Sequence, residues 1–463
     1  MRPSLCIAVL LSASACAKND APTASLSASA SARAKSAPAT ASAVVTAEAK
    51  PSPQALLQRP RSQDELGTTH ARIFMGNLRG SVAAAKEGWE KDKPAATAAL
   101  LYATPLSTAA KISGDLEQFG EALRVVEAAL KKEPEHEKLL LLQAELLSSL
   151  HRFDKAATVA TKLHARAPSD ATRVLLADVA WNRGDYETAI KEVRAIATEK
   201  PSLFSQVRLA QLELSLGNLQ AAKDAFARAE TLYRDVSPVP IAWLNVQRGL
   251  MGLHTGQWED AEGFYREAVT RMPDYPMAVE HLAEVEALLG KREEAVRRYK
   301  GVVEATDNPE LIGALAGLLA EFGQKEEAER QVVHAKKRFG DLLKRYPEAM
   351  AGHAADFFLN EGDDKKQALS LLERNFKLRP NAEARAALAH AKLENGDLKG
   401  AAKLADEALA TPVKKAEIYW IGARIRLAEG RAEDAKSLES KAKALNPKIE
   451  QLEGPLATPG EAK

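Results

Sequence analysis

Cysteine is almost missing from this chain of 463 residues: there are two, Cys6 and Cys16, both at the extreme N-terminus. The body therefore has no thiol, which excludes disulfide scaffolds, cysteine-ligated zinc and cysteine nucleophiles there. Aromatic residues make up only 5% of the chain. An excess of charge of either sign is missing too. The 64 Lys and Arg side chains oppose 63 Asp and Glu, a balance that argues against a dedicated nucleic-acid binder. Gly-x-x-x-x-Gly-Lys-Ser/Thr, His-Glu-x-x-His and Gly-x-Ser-x-Gly do not occur, so the sequence offers no P-loop, zincin-type site or nucleophile elbow. The nine histidines are scattered with no two at three- or four-residue spacing, and they read as surface or packing residues. Pairs such as Glu293–Glu294 and Glu326–Glu327 read as first-turn charges that complement a helix dipole. No cofactor, metal or catalytic residue is expected. What is plentiful is alanine, and with so few aromatics it favours helix over strand.

The N-terminus has the parts of a bacterial export signal: a basic tip, the apolar run Leu5–Leu11, and the small-residue stretch Ser12–Ala15. The run is too short for a permanent membrane span. Cleavage after Ala15 leaves Cys16 as the first residue. Ala13-Ser14-Ala15-Cys16 resembles the lipobox of bacterial lipoproteins, with Ala13 where Leu is commonest. That resemblance implies a lipid on Cys16; simple secretion with a free thiol is the alternative. Ala17 rather than Asp follows Cys16, which points to the outer membrane, facing the periplasm. Residues 16–61, rich in Ala, Ser, Thr and Pro, read as a disordered tether. From residue 64 the pattern turns helical, with Met75, Leu78, Val82, Ala85 and Trp89 on one stripe. Residues 62–101 read as an N-terminal helical cap, with Pro94 and Pro105 as breaks and the first end of the following unit beneath it.

Self-similarity is the strongest signal. Gly184, Gly217, Gly256, Gly290, Gly323, Gly362, Gly396 and Gly430 recur at intervals of 33, 34 or 39. Seven residues before each stands a small residue: Ala177, Ala210, Gly249, Ala283, Ala316, Ala355, Ala389 and Ala423. Five residues after come Ala189, Ala222, Ala261, Ala295, Ala328, Ala401 and Ala435, with Ala368 displaced by one. The spacing predicts two helices joined by a tight turn, with small side chains where they cross. Glycine ends the first helix and proline closes the unit. An aromatic or Leu two residues past the turn, as at Phe153, Tyr186, Leu219, Trp258 and Leu398, fills the space beside the crossing. One such hairpin cannot bury its own face, so the units must stack.

On these residues the chain resembles the tetratricopeptide repeat family. Phe119 with Ala122 and Phe153 with Ala156 extend the series upstream without the turn glycine. The expected fold is all-α, a right-handed superhelical solenoid of about ten helix-turn-helix repeats over 102–447. Two longer units, near Tyr233–Pro238 and Phe339–Leu343, divide it into blocks of four, three and three, their extra residues lengthening the second helix and the loop after it. The polar last helix is expected to cap the end, and 448–463 reads as a disordered tail.

The resemblance implies a scaffold that binds proteins or peptides in a concave groove lined by the first helix of each repeat. With the export signal and tether, this reads as an envelope-anchored adaptor for assembly of other envelope proteins, with a membrane contact through lipid and no nucleic-acid partner. The expected groove face carries Trp181, Asn182, Phe204, Val207, Trp243, Val246, Leu250, Met277 and Glu280, with Trp420 on the same face near the far end. Trp258 occupies a packing position instead. The groove lacks the Lys and Asn pattern that clamps a carboxylate, so an apolar or extended ligand is expected. Two other readings stay open: an enzyme with a site in 62–112 or between the repeat blocks, and a solenoid that binds glycan or another polymer.

Overall fold

The structure is a computed structural model that describes residues 59–456. The export signal, Cys16 and the tether up to residue 58 lie outside the described residues, as does the tail from 457. All regular structure among the described residues is helical. After a first helix, Ala71–Lys91, come ten pairs: Ala96–Ser113 with Leu116–Leu130, Glu137–Ser149 with Phe153–Arg166, Asp170–Asn182 with Tyr186–Glu199, Leu203–Ser215 with Leu219–Thr231, and Pro238–His254 with Trp258–Arg271. Then follow Pro276–Leu288 with Arg292–Thr306, Pro309–Glu321 with Lys325–Arg345, Pro347–Leu359 with Lys365–Leu378, Ala382–Glu394 with Leu398–Leu409, and Ala416–Ala428 with Ala432–Leu445. Each helix packs against its predecessor and its successor, which makes a solenoid of ten repeats.

The turns form where the glycine period puts them. Seven of the eight turn glycines take φ between 74° and 82°, a left-handed conformation that only glycine adopts without strain. The exception is repeat eight, where the extra residue shifts the duty from Gly362 to Asp363, at φ 45°. Repeat one has a turn glycine after all: Gly114, at φ 73°, lies ahead of the expected phase. Every small residue seven before and five after the turns is buried. At Gly249 even a methyl group would fall 2.3 Å from the Tyr265 ring, so the crossing there leaves room for hydrogen alone.

Several boundaries differ from the sequence reading. Pro105 lies inside Ala96–Ser113 rather than ending it. In the first long unit the second helix, Leu219–Thr231, keeps ordinary length, and the extra residues go to the loop and to the 17-residue helix Pro238–His254. In the second they lengthen the second helix, Lys325–Arg345, to 21 residues. The expected disordered tail begins too early. Ile449–Glu453 is a short helix with Ile449 and Leu452 buried, and the Trp420 indole donates to Gly454 O at 3.2 Å. Trp420 is therefore core and presents nothing to a ligand. At the other end, Arg61, the last residue of the expected tether, and residues 62–69 of the expected cap lie on the middle repeats. Buried Arg271 donates to the carbonyls of Arg61 and Leu66, each at 2.8 Å, and Thr69 N–H donates to Val236 O at 2.7 Å. Phe74, Met75 and Leu78 then join the core of repeats five and six, so the first helix covers more than the first end of the solenoid.

The solenoid closes on itself. The turn region of repeat three meets the start of repeat nine, where Ala382 N–H donates to the Tyr186 hydroxyl at 2.6 Å. Repeat four meets repeat ten through Lys414 N–H to Ser215 O at 2.8 Å. Beside repeat five, the Lys448 ammonium lies 4.3 Å above the Trp258 ring. Nearer the N-terminus, Tyr346 donates to Glu117 at 2.8 Å, and the His151 and His353 rings stack 6.3 Å apart. Repeats one to five and repeats eight to ten thus form two layers, each repeat facing one about six further along the chain.

Candidate binding site at the junction of the two layers

The nine residues expected on the groove face do not form one surface. Val207 and Val246 are fully buried; they pack between helices and are removed from the list of contact residues. Trp181 meets Tyr186 edge-on at 4.9 Å and packs into a core shared with Ala382 and Ala386, so it belongs to the joint between the layers. Asn182 donates its amide to Asp178 O at 2.9 Å. Met277 is half-buried, with its sulfur 3.8 Å from the Tyr275 hydroxyl. Glu280 keeps part of its surface but lies enclosed within the ring of repeats, and burial pushes its carboxyl up to about 7. Two of the nine do come together, and a third lies further along the same helix. The rings of Phe204 and Trp243 lie 5.7 Å apart, both half-buried, and Leu250, two turns beyond Trp243 on the same helix, reaches a cavity.

That cavity has a volume of about 270 Å³ and lies where repeats four and five meet repeats nine and ten. One wall comes from Leu203–Ser215 and Pro238–His254, with Gln211, Leu214, Gln247 and Leu250; the other comes from Ala382–Glu394 and Ala416–Ala428, with Ala386, Ala387, Ile418 and Ile421. Phe226 and Leu445 from two second helices also line it. Charged groups stand on the far wall. Burial pushes the Glu383 carboxyl up, but Lys415 at 2.9 Å outweighs burial and holds it below the usual carboxylate range. Burial likewise opposes ionisation of Glu417, and His254 at 2.8 Å, together with Lys415 and a backbone N–H, brings its pKa below the ordinary value. The Lys415 ammonium, which burial would lower, is raised by Glu383 and Glu417. Both carboxylates are thus held in their ionised form, Glu383 beside Lys415 and Glu417 beside His254.

Gln211 and Gln247 were missed in the sequence, although each lies four residues beyond a residue on the expected face, Val207 and Trp243, and so on the same stripe. The opposite wall had no sequence signal, since nothing in a repeat says which distant repeat it will face. No set of three or more His, Cys, Asp or Glu side chains converges as metal ligands among the described residues. Nor, among them, is any helix long and apolar enough to cross a membrane.

A family model described as tetratricopeptide repeat matches residues 108–171, 141–203 and 207–276. No curated protein matches the chain. Solved structures similar to it include yeast Tom70, at 14% identity over 82% of this chain and 91% of that one with a TM-score of 0.35. The human IFIT1 dimer with m7Gppp-AAAA is 13% identical over 81% and 88%, with a TM-score of 0.42. A tetratricopeptide repeat protein from Parabacteroides merdae is 14% identical over 52% and 93%, with a TM-score of 0.34.

Proposed function

Because this chain is a tetratricopeptide repeat protein, and so an interaction scaffold, we propose that it serves as an envelope-anchored adaptor that holds another protein at the junction of its two layers. The observation that carries this reading is the half-exposed pair Phe204–Trp243, which shares its helices with the cavity. Large aromatic rings on the helices that wall a small apolar recess are the usual makings of an interface hot spot. The export signal and Cys16 supply the address in this reading. A lipid on Cys16 anchors the chain, and the segment behind it sets the distance from the membrane.

The experiment has two arms. Mass analysis of the mature N-terminus from the native host should find acylated Cys16; an unmodified residue there sinks the anchor. Affinity capture from the envelope should identify a partner whose binding weakens by about 2 kcal/mol or more in Phe204→Ala with Trp243→Ala. Helical signal should be retained in that variant. Undiminished binding by the folded variant would overturn the placement of the partner.

A further inference from the structure

The polar groups of the interlayer cavity are not all answered from within the protein. Its ionisable side chains lie against one another, Lys415 by Glu383 and His254 by Glu417. The two glutamines behave differently. Gln211 Nε2 donates to Gln247 Oε1 at 2.6 Å, a bond that uses one donor and one acceptor and leaves the Gln211 carbonyl and the Gln247 amino group over. Gln247 is 8% exposed and lines the cavity, so what remains accessible of its amide faces that space. A ligand group seated there can meet it. Exchanging oxygen and nitrogen in both side chains does not alter the outcome: one side chain keeps an amino group and the other a carbonyl. Another amide offers the groups that answer both.

The rest of the wall sets the body of the ligand. Leu214, Leu250, Ile418 and Ile421 are aliphatic, while Ala386 and Ala387 leave the space open. A volume of about 270 Å³ lies just under the ~300 Å³ at which pockets for drug-sized molecules begin. The occupant is therefore small: a branched aliphatic body and little else beyond its polar end. We propose that the cavity binds an apolar amide, with the amide read by the Gln211–Gln247 edge and the aliphatic body seated between the two layers. A leucine-type residue with its flanking peptide bond has this chemistry, and so does a free acyl amide. The first source deepens the adaptor reading and rests on it; the cavity assignment itself does not.

The test uses the full chain and small probes in equilibrium dialysis or ligand-observed magnetic resonance. N-acetyl-leucinamide and hexanamide represent the two sources, and methyl hexanoate is a control that lacks the N–H donor. The amides should bind saturably, and the ester about fivefold to tenfold more weakly, the worth of one ordinary hydrogen bond. Tighter binding of N-acetyl-leucinamide assigns the site to a peptide residue, and tighter binding of hexanamide to a free amide. Gln247→Glu keeps the acceptor for Gln211 and removes the free donor, so it should weaken both amides and leave the ester nearly unchanged. Ala387→Leu should abolish all three by filling the space; if it fails to fold, Gln247→Glu still decides. No saturable binding to wild type, or equal amide binding by folded Gln247→Glu, overturns the proposal. Partner capture by a wild-type chain that binds no probe would overturn the cavity assignment while leaving the adaptor reading intact. Probe binding without partner capture would support the cavity and count against that reading.

Discussion

Two carboxyl groups inside the ring of repeats give the structure a pH signature. Burial raises Glu280 to about 7, with Glu310 and Glu284 adding to the shift and His281 and His353 opposing it. Burial, with Glu417, raises Glu453 to about 8 against the pull of Arg424. An acid whose folded pKa lies above its unfolded value near 4.5 holds an extra proton in the folded state between the two values. Its contribution to stability is therefore present at acid pH and is lost as pH rises through 7 to 8. Glu280→Gln and Glu453→Gln should remove this loss. Their melting temperatures relative to wild type should climb between pH 5 and pH 8, and a pH-independent difference would contradict the burial described. At this scale the sequence was informative where the residue is small. The alanines that flank each turn are buried because only they fit the crossing, and their spacing says so. It was misleading where a residue's face depends on a distant partner: Trp181 and Trp420 read as ligand contacts, whereas Ala382–Ala386 and Gly454 receive them.

Among the elements, the joints between layers carry the new information. The N-terminus of Ala382–Glu394 has its first N–H satisfied by Tyr186, a side chain nearly two hundred residues away. Tyr186→Phe keeps the ring and removes the acceptor, leaving the Ala382 N–H buried and unmet. The cost should be about 1–3 kcal/mol, read from denaturant midpoints at constant slope. A midpoint equal to that of wild type would mean that the joint is solvated. Helix pairs were legible because turn glycine, crossing alanine and closing proline each leave a mark at fixed spacing. Ile449–Glu453 left none. Five residues are too few for a period, and what orders them is the Trp420 indole and the Arg424 guanidinium reaching the Glu453 and Gly454 carbonyls. The stripe from Met75 to Trp89 was legible as a helix face, but its reach into repeats five and six was not, because a stripe shows which side is buried and not against what.

For the whole molecule the central claim is closure: repeats three to five lie against repeats nine and ten, and the cavity exists only because repeats four and five do. Curvature of this kind accumulates from small rotations between neighbouring repeats, and no residue pattern in one repeat announces it. Half the candidate site was therefore visible in the sequence, as the stripe that holds Trp243 and Leu250, while the facing wall was not. The absence of thiols from the body makes closure directly measurable. A Cβ on Gly217 would lie 3.1 Å from Lys414 Cβ, close to the ~3.5–4.5 Å that a disulfide spans. The left-handed backbone at Gly217 adds a penalty of about 1–2 kcal/mol for any side chain there. With Cys6 and Cys16 changed to Ser, the pair Gly217→Cys and Lys414→Cys should cross-link within one chain under mild oxidation of the native protein. The loop of nearly two hundred residues should then show as a mobility shift under denaturing conditions. A folded double variant that keeps both thiols free would contradict the closed solenoid.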